Sequence, residues 1–215
     1  MKAEIFVADL QIGITTLGPG RRIVIWTVGC WRNCPGCISP ELFVQKPESQ
    51  WEVAALAEEI IAEAEGHDGL TVSGGEPFQQ PLAVAALIRK VRRATPLDIL
   101  VYSGYTLEEI RRSSRAMRVL LGEIDVLIDG RFILEESNQK VWRGSDNQRM
   151  HLLTPRAARY ADVVNAKYGE TRGMHVMAAR DGGIRLVGIP SRNAAVCDRL
   201  ARRGISVVNK REVGR

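Results

Sequence analysis

The sequence predicts an α/β fold built from parallel βα units, and three observations carry that prediction. Four apolar, β-branched runs of strand length recur: RIVIWTVG, LTVS, LDILVYSG and IDVLIDG. Amphipathic helical patterns separate them, as parallel crossovers require. The unusual loops all leave the C-terminal ends of these runs: GCWRNCPGC, SGGEP, YSGY and IDGRF. In a parallel barrel or an open parallel sheet such loops gather on one face, where active sites form.

Taken in order, residues 2–12 alternate loosely around Ile5, Val7, Leu10 and Ile12, which suggests an opening strand. Gly18-Pro19-Gly20 marks a turn. The run RIVIWTVG ends at Gly29 and passes directly into Cys30, Cys34 and Cys37. SPELF closes that loop. WEVAALAEEIIAEAE places Val53, Leu56, Ile60, Ile61 and Ala64 at helical spacing, with Glu58, Glu59 and Glu63 read as a solvated face. LTVS is the next strand, and GGEP is its turn. PLAVAALIRKVRR is a helix with Pro81 in its first turn and four basic residues at its C-terminal end. After LDILVYSG, Thr106 and Glu109 form a capping box for a helix through LEEIRRSSRAM. Residues 132–150 read as a polar loop.

Beyond it, TPRAARYADVV suggests a short helix capped by Thr154, and HVMAARDGGIRLVGIP a hairpin around Asp181-Gly182-Gly183. SRNAAVCDRLARRG suggests a helix ending at Gly204, with Cys197 a small buried hydrophobe. ISVVN suggests a last strand. The expected organisation is a core over 1–150 and a small α+β appendage over 151–215.

Charge divides at the same place. Residues 1–150 carry 17 Lys/Arg against 20 Asp/Glu, and residues 151–215 carry 13 against 5, within a net +5. No aromatic-interleaved basic stripe accompanies the excess, which argues against a nucleic-acid surface and leaves solvated arginines or an acidic partner. No apolar run reaches the roughly 20 residues needed to span a bilayer. The N-terminus has acids at Glu4 and Asp9 and no apolar signal core, so a cytoplasmic address is expected.

Three of the four cysteines fall within eight residues as C-x3-C-x2-C. Such clustering in a chain of 215 residues points to metal binding or redox chemistry rather than a disulfide framework. Thiolate is the soft ligand that suits iron–sulfur clusters, and three cysteines leave one iron of a cube without a protein ligand. Zinc is the competing reading. It usually asks for a fourth side chain, and His67, His151 and His175 stand in no ligand pattern.

In order along residues 12–155, the stretches GPGRR, GCWRNCPGC, SGGEP, ILVYSGYTLEEI with IDVLIDGRF, and VWRGSDNQR resemble the radical S-adenosylmethionine (SAM) superfamily. The nearer resemblance is to the anaerobic ribonucleotide reductase activating proteins, which activate glycyl-radical enzymes. It implies a partial parallel (β/α) barrel followed by the appendage. It also implies a [4Fe–4S] cluster on Cys30, Cys34 and Cys37, with SAM chelating the open iron. Gly74, Gly75 and Glu76 would meet the methionyl end, Gly36 and Ile38 would lie by the adenosine, and Ser103 and Asp129 are candidate contacts. Reductive cleavage of SAM would give a 5′-deoxyadenosyl radical that takes a hydrogen atom from a glycine of the partner. A flavodoxin or ferredoxin would supply the electron. Gly36 stands where many members of the superfamily carry an aromatic residue.

Other roles are weighed beside these. Trp31 and Arg32 shield the cluster or simply pack, Tyr102 is a contact or a core residue, and Asp129 is equally a turn-forming acid before Gly130. Trp142, Arg143, Asn147 and Gln148 suit a partner-facing or structural loop. Two rival functions stay open: a radical SAM enzyme acting on another peptide or a small molecule, and a non-catalytic adaptor or redox sensor holding iron–sulfur or zinc.

Overall fold

The computed structural model describes residues 3–136, 139–169, 172–178, 184–190 and 202. The helix and last strand expected over 191–209, and Cys197 with them, lie outside these. The strands β1 (Glu4–Ile14), β2 (Arg22–Thr27), β3 (Gln50–Glu52), β4 (Gly69–Gly74), β5 (Asp98–Tyr102), β6 (Val126–Asp129) and β7 (Arg149–Leu152) form one sheet in the order β3-β1-β2-β4-β5-β6-β7. The helices are α1 (Val53–Ala62), α2 (Pro81–Ala94), α3 (Leu107–Arg112) and α4 (Arg115–Leu121). A separate hairpin pairs β8 (His175–Ala178) with β9 (Ile184–Val187).

The four strands β2, β4, β5 and β6 pair in parallel, as the crossover helices require. The flanks do not. β1 pairs antiparallel with β2 and β3, and β7 antiparallel with β6. A strand that returns without a crossover helix pairs antiparallel, as β2 does with β1 and β7 with β6. The sheet is mixed and does not close, with β3 and β7 as its edges.

Side-chain alternation splits the sheet into two faces. Ile23, Ile25, Leu70, Val72, Ile99, Val101 and Leu127 pack under the helices, against Leu56, Ile60, Val84, Leu87, Ile88 and Ile110. The other face carries Val24, Leu100, Val126, Ile128 and Met150, covered by later parts of the chain. Low on it, Arg22 is fully buried and donates to Asp98, to Thr71 Oγ1 and to the Pro19 carbonyl. Gly18 and Gly69 make room for that side chain, since a Cβ would fall 2.7 Å from its Cδ at Gly18 and 2.3 Å from its Nη2 at Gly69.

Local expectations differ in four places. Trp51 and Glu52 leave the predicted first helix to form β3, where Trp51 Nε1 donates to the Val7 carbonyl at 3.1 Å. The predicted third helix breaks at Ser113-Ser114, because Ser114 caps a new helix by accepting from Met117 N–H. β7 emerges from the end of the stretch read as a loop and crosses residue 150, where the composition shifts. Pro155–Val163 is a 3-10 helical turn whose Thr154 makes no cap; its hydroxyl bonds Asp125 instead.

Candidate active site

The loops after β2, β4, β5 and β6 meet at the strands' C-terminal edge. The cysteine loop is fastened at both ends by backbone bonds, Gly29 N–H to Leu42 O at 2.8 Å and Cys30 N–H to Phe43 O at 3.0 Å. Inside it Cys37 N–H donates to Cys34 O at 3.1 Å, and Asn33 takes a left-handed conformation that asparagine tolerates.

The GGEP loop lies directly against it. Gly75 N–H donates to Thr27 O at 2.7 Å, and Glu76 N–H to Gly29 O at 2.8 Å. A Cβ at Gly74 would fall 2.4 Å from the Thr27 backbone, and one at Gly75 would fall 2.5 Å from Gly29 O. These two glycines therefore let the two loops touch.

Glu76 then joins this pair to the β5 loop. Its carboxylate is buried and accepts from Phe78 N–H and Ser103 Oγ at 3.0 Å each and from Gly104 N–H at 2.7 Å. Burial pushes its pKa up to about 7, against the pull of those donors and of Arg32. Ser103 Oγ also accepts from Tyr105 N–H, so Ser103 is a junction of the β4 and β5 loops.

Arg32, weighed from the sequence as a shielding or packing residue, provides a second tie. Its guanidinium stacks 3.7 Å from the Tyr105 ring centroid and pairs with Glu109 at 3.1 Å. Its carbonyl accepts from Arg131 of the β6 loop at 2.6 Å. Only an arginine between two cysteines, with no periodic signal, hinted at this contact. Trp31 beside it is 83% exposed, so it does not pack as one reading expected.

Gly36 and Ile38 sit on the outer rim. Gly36 has φ of +71°, and a Cβ there would stand 2.9 Å from Leu134. Ile38 is mostly exposed. Asp129 belongs to the scaffold in this structure. It accepts from Leu107 N–H at 2.6 Å and lies 3.1 Å from Arg149 and 3.0 Å from His151. Burial raises its pKa, but these three partners outweigh that and hold it below the usual carboxylate range. Trp142, Arg143 and Gln148 are likewise structural. Trp142 O accepts from Tyr102, Arg143 donates to the Val164 and Val141 carbonyls, and Gln148 bonds the backbone of Gly130 and Gly144.

The chemistry of the cysteines suits an iron–sulfur cluster. All three lie on one loop, and none of them is joined in a disulfide. Burial raises the pKa of Cys30, while the N–H groups of Arg32 and Asn33 point to its sulfur and favour the thiolate. Burial likewise raises Cys37, which receives an N–H bond from Ser39 and feels Cys34 and Cys30. Among the described residues no three His, Cys, Asp or Glu side chains converge as ligands of one ion. A cube does not require convergence on one ion, because each thiolate takes a different iron.

Comparison with known proteins agrees with this donor set. A family model described as a 4Fe-4S single cluster domain matches residues 16–151. The anaerobic ribonucleoside-triphosphate reductase-activating protein of Haemophilus influenzae is 37% identical over 150 residues, covering 62% of this chain and 89% of that one. The chain belongs to this 4Fe–4S family of activating proteins. Family members of the same name from Vibrio cholerae and Enterobacteria phage T4 are 35% and 31% identical. They cover 64% and 62% of this chain, and 91% and 85% of their own lengths. Among solved structures, QueE from Escherichia coli aligns at a TM-score of 0.43 and 11% identity, over 59% of this chain and 70% of that one. The family match ends at residue 151, so the hairpin β8–β9 lies beyond it. Among the described residues no helix is long and apolar enough to cross a membrane.

Proposed function

We infer that this chain is a radical SAM enzyme that installs a glycyl radical on an anaerobic ribonucleotide reductase. The observation that carries the reading is the direct backbone junction of the three-cysteine loop with the GGEP loop, in a chain of the activating-protein family. A [4Fe–4S] cluster held by Cys30, Cys34 and Cys37 would supply the single electron for reductive cleavage of SAM, the chemistry by which hydrogen would be removed from a backbone glycine of the reductase.

The chain's own residues hold and orient. Cys30, Cys34 and Cys37 ligate the cluster. Gly74, Gly75 and Glu76 form the face toward the methionyl group. The buried Glu76 carboxylate suits a nearby ammonium, because a cation offsets the burial that raises its pKa. Ser103 fixes that carboxylate, Gly36 and Ile38 border the adenosine, and Asp129 holds the β6 end against α3. The sheet is read as a partial parallel barrel, its concave face below the cluster. The basic residues of 151–215 serve partner recognition on a core that runs to about 150. A cytoplasmic setting keeps the thiols reduced, and a flavodoxin or ferredoxin delivers the electron.

The test is anaerobic incubation of the iron-loaded protein with dithionite, SAM and the reductase large subunit from the same organism. A glycyl-radical EPR doublet on the reductase is expected. SAM cleavage without that doublet would move the reading to another acceptor.

A further inference from the structure

Beyond the family match, the chain returns to the sheet. Val187 of β9 is buried with Ile14, Leu17 and Val24 on the face opposite the helices. Ile189, two residues on, packs against the same cluster, as do Trp26 and Tyr102. The hairpin is tied to the β1–β2 connection. Thr16 Oγ1 donates to Val187 O at 3.0 Å, and Thr15 N–H donates to His175 Nε2 at 3.1 Å. Within the hairpin, a Cβ at Gly188 would fall 2.7 Å from Met174 Sδ.

Height on this face matters. Arg22 and Asp98 fill it at the bottom, with Tyr160 bonded to Asp98. Leu100, Val126, Ile128, Met150, Ala157 and Tyr160 fill its middle. Trp26 is four residues before Cys30, and Tyr102 immediately precedes Ser103. Trp26 is the penultimate residue of β2 and Tyr102 the last of β5, and both are only partly buried, as is Ile189. The face is thus packed upward to the level just beneath the cysteine and Glu76 loops, and Ile189 comes from a segment outside the matched family region.

We propose that the β8–β9 hairpin is a wall of the acceptor site, with Ile189, Trp26 and Tyr102 forming its apolar floor and limiting how deep a partner's polypeptide segment descends. The occupant is an extended, glycine-bearing backbone segment entering from the strand-end rim, which rests on the glycyl-radical reading above. A narrow segment fits over a raised apolar floor, and its depth sets the distance between the hydrogen to be removed and the cofactor. Misplacement by about 1 Å costs such reactions on the order of 100-fold.

The experiment uses the full chain, iron-loaded, with the reductase large subunit. It compares wild type with Ile189→Ala and Ile189→Trp. The readout is glycyl radical formed per SAM cleaved, from EPR spin count and 5′-deoxyadenosine. The expected result is a ratio lowered about tenfold or more in at least one variant, with SAM still cleaved. Both variants are first shown to fold by urea unfolding and to cleave SAM at the wild-type rate, so a wild-type ratio in both overturns the proposal. Absence of any radical with wild type, while SAM is cleaved, overturns the assigned partner and the wall with it.

Discussion

At the residue scale, Arg32 holds the cysteine loop without being a ligand. Its ion pair with Glu109 is partly exposed and contributes about 0–1 kcal/mol. Its stack on Tyr105 contributes about 0.5–2 kcal/mol. Arg32→Ala is therefore expected to lower global stability by only about 1–2 kcal/mol while speeding loss of iron to a chelator, with Arg32→Lys intermediate. Iron release at the wild-type rate in Arg32→Ala would contradict the role. Gly74 is the opposite case. Its φ is +109°, and a Cβ would collide with the Thr27 backbone at 2.4 Å. Gly74→Ala should cost about 2–3 kcal/mol or more in urea unfolding. The cysteines and GGEP were legible in the sequence because composition and spacing mark them. The reason for the glycines was not. Their partner is a backbone 47 residues earlier, a proximity that only the sheet register creates.

At the element scale, the capping box on α3 was legible and forms as read. Thr106 Oγ1 accepts from Glu109 N–H at 3.1 Å, and Glu109 accepts from Thr106 N–H at 2.7 Å. Glu109 thus serves the cap and Arg32 at once. Thr106→Ala should cost about 1 kcal/mol by denaturant unfolding. An effect near zero would mean that tertiary packing alone holds α3. The helix break at Ser113-Ser114 was not legible, since serine is tolerated within helices and only a completed cap reveals a new start. β7 was not legible either. Its four residues follow a polar loop, and their pairing with β6 is decided by Asp129, which binds Arg149 and His151 across the two strands.

At the scale of the whole molecule, the parallel centre was legible from repeated strand–helix alternation, while the antiparallel flanks depend on connections too short in signal to read. The face opposite the helices was hidden from the sequence because its base is charged. Arg22, read as the first residue of the run RIVIWTVG, is buried against Asp98 at 2.6 Å. Burial alone would raise the Asp98 pKa, but Arg22, Tyr160 and Arg159 outweigh it and hold it below the usual range. A depressed folded pKa contributes stability that is complete above the unfolded value of about 3.9 and lost as pH falls through the folded one. Unfolding free energy should therefore fall steeply below about pH 4. In Asp98→Asn that component should be absent, with roughly 3–5 kcal/mol lost at neutral pH. Urea titrations across pH check both. A parallel acid limb in the variant would refute the assignment.

One assay tests whether the junction of the cysteine and GGEP loops is a SAM-cleaving site. Anaerobically reconstituted protein, reduced with dithionite and given SAM, should release 5′-deoxyadenosine and methionine. The same assay on Cys30→Ala, Cys34→Ala and Cys37→Ala should give none. Absence of cleavage by intact protein carrying about four irons and four sulfides per chain would contradict the account.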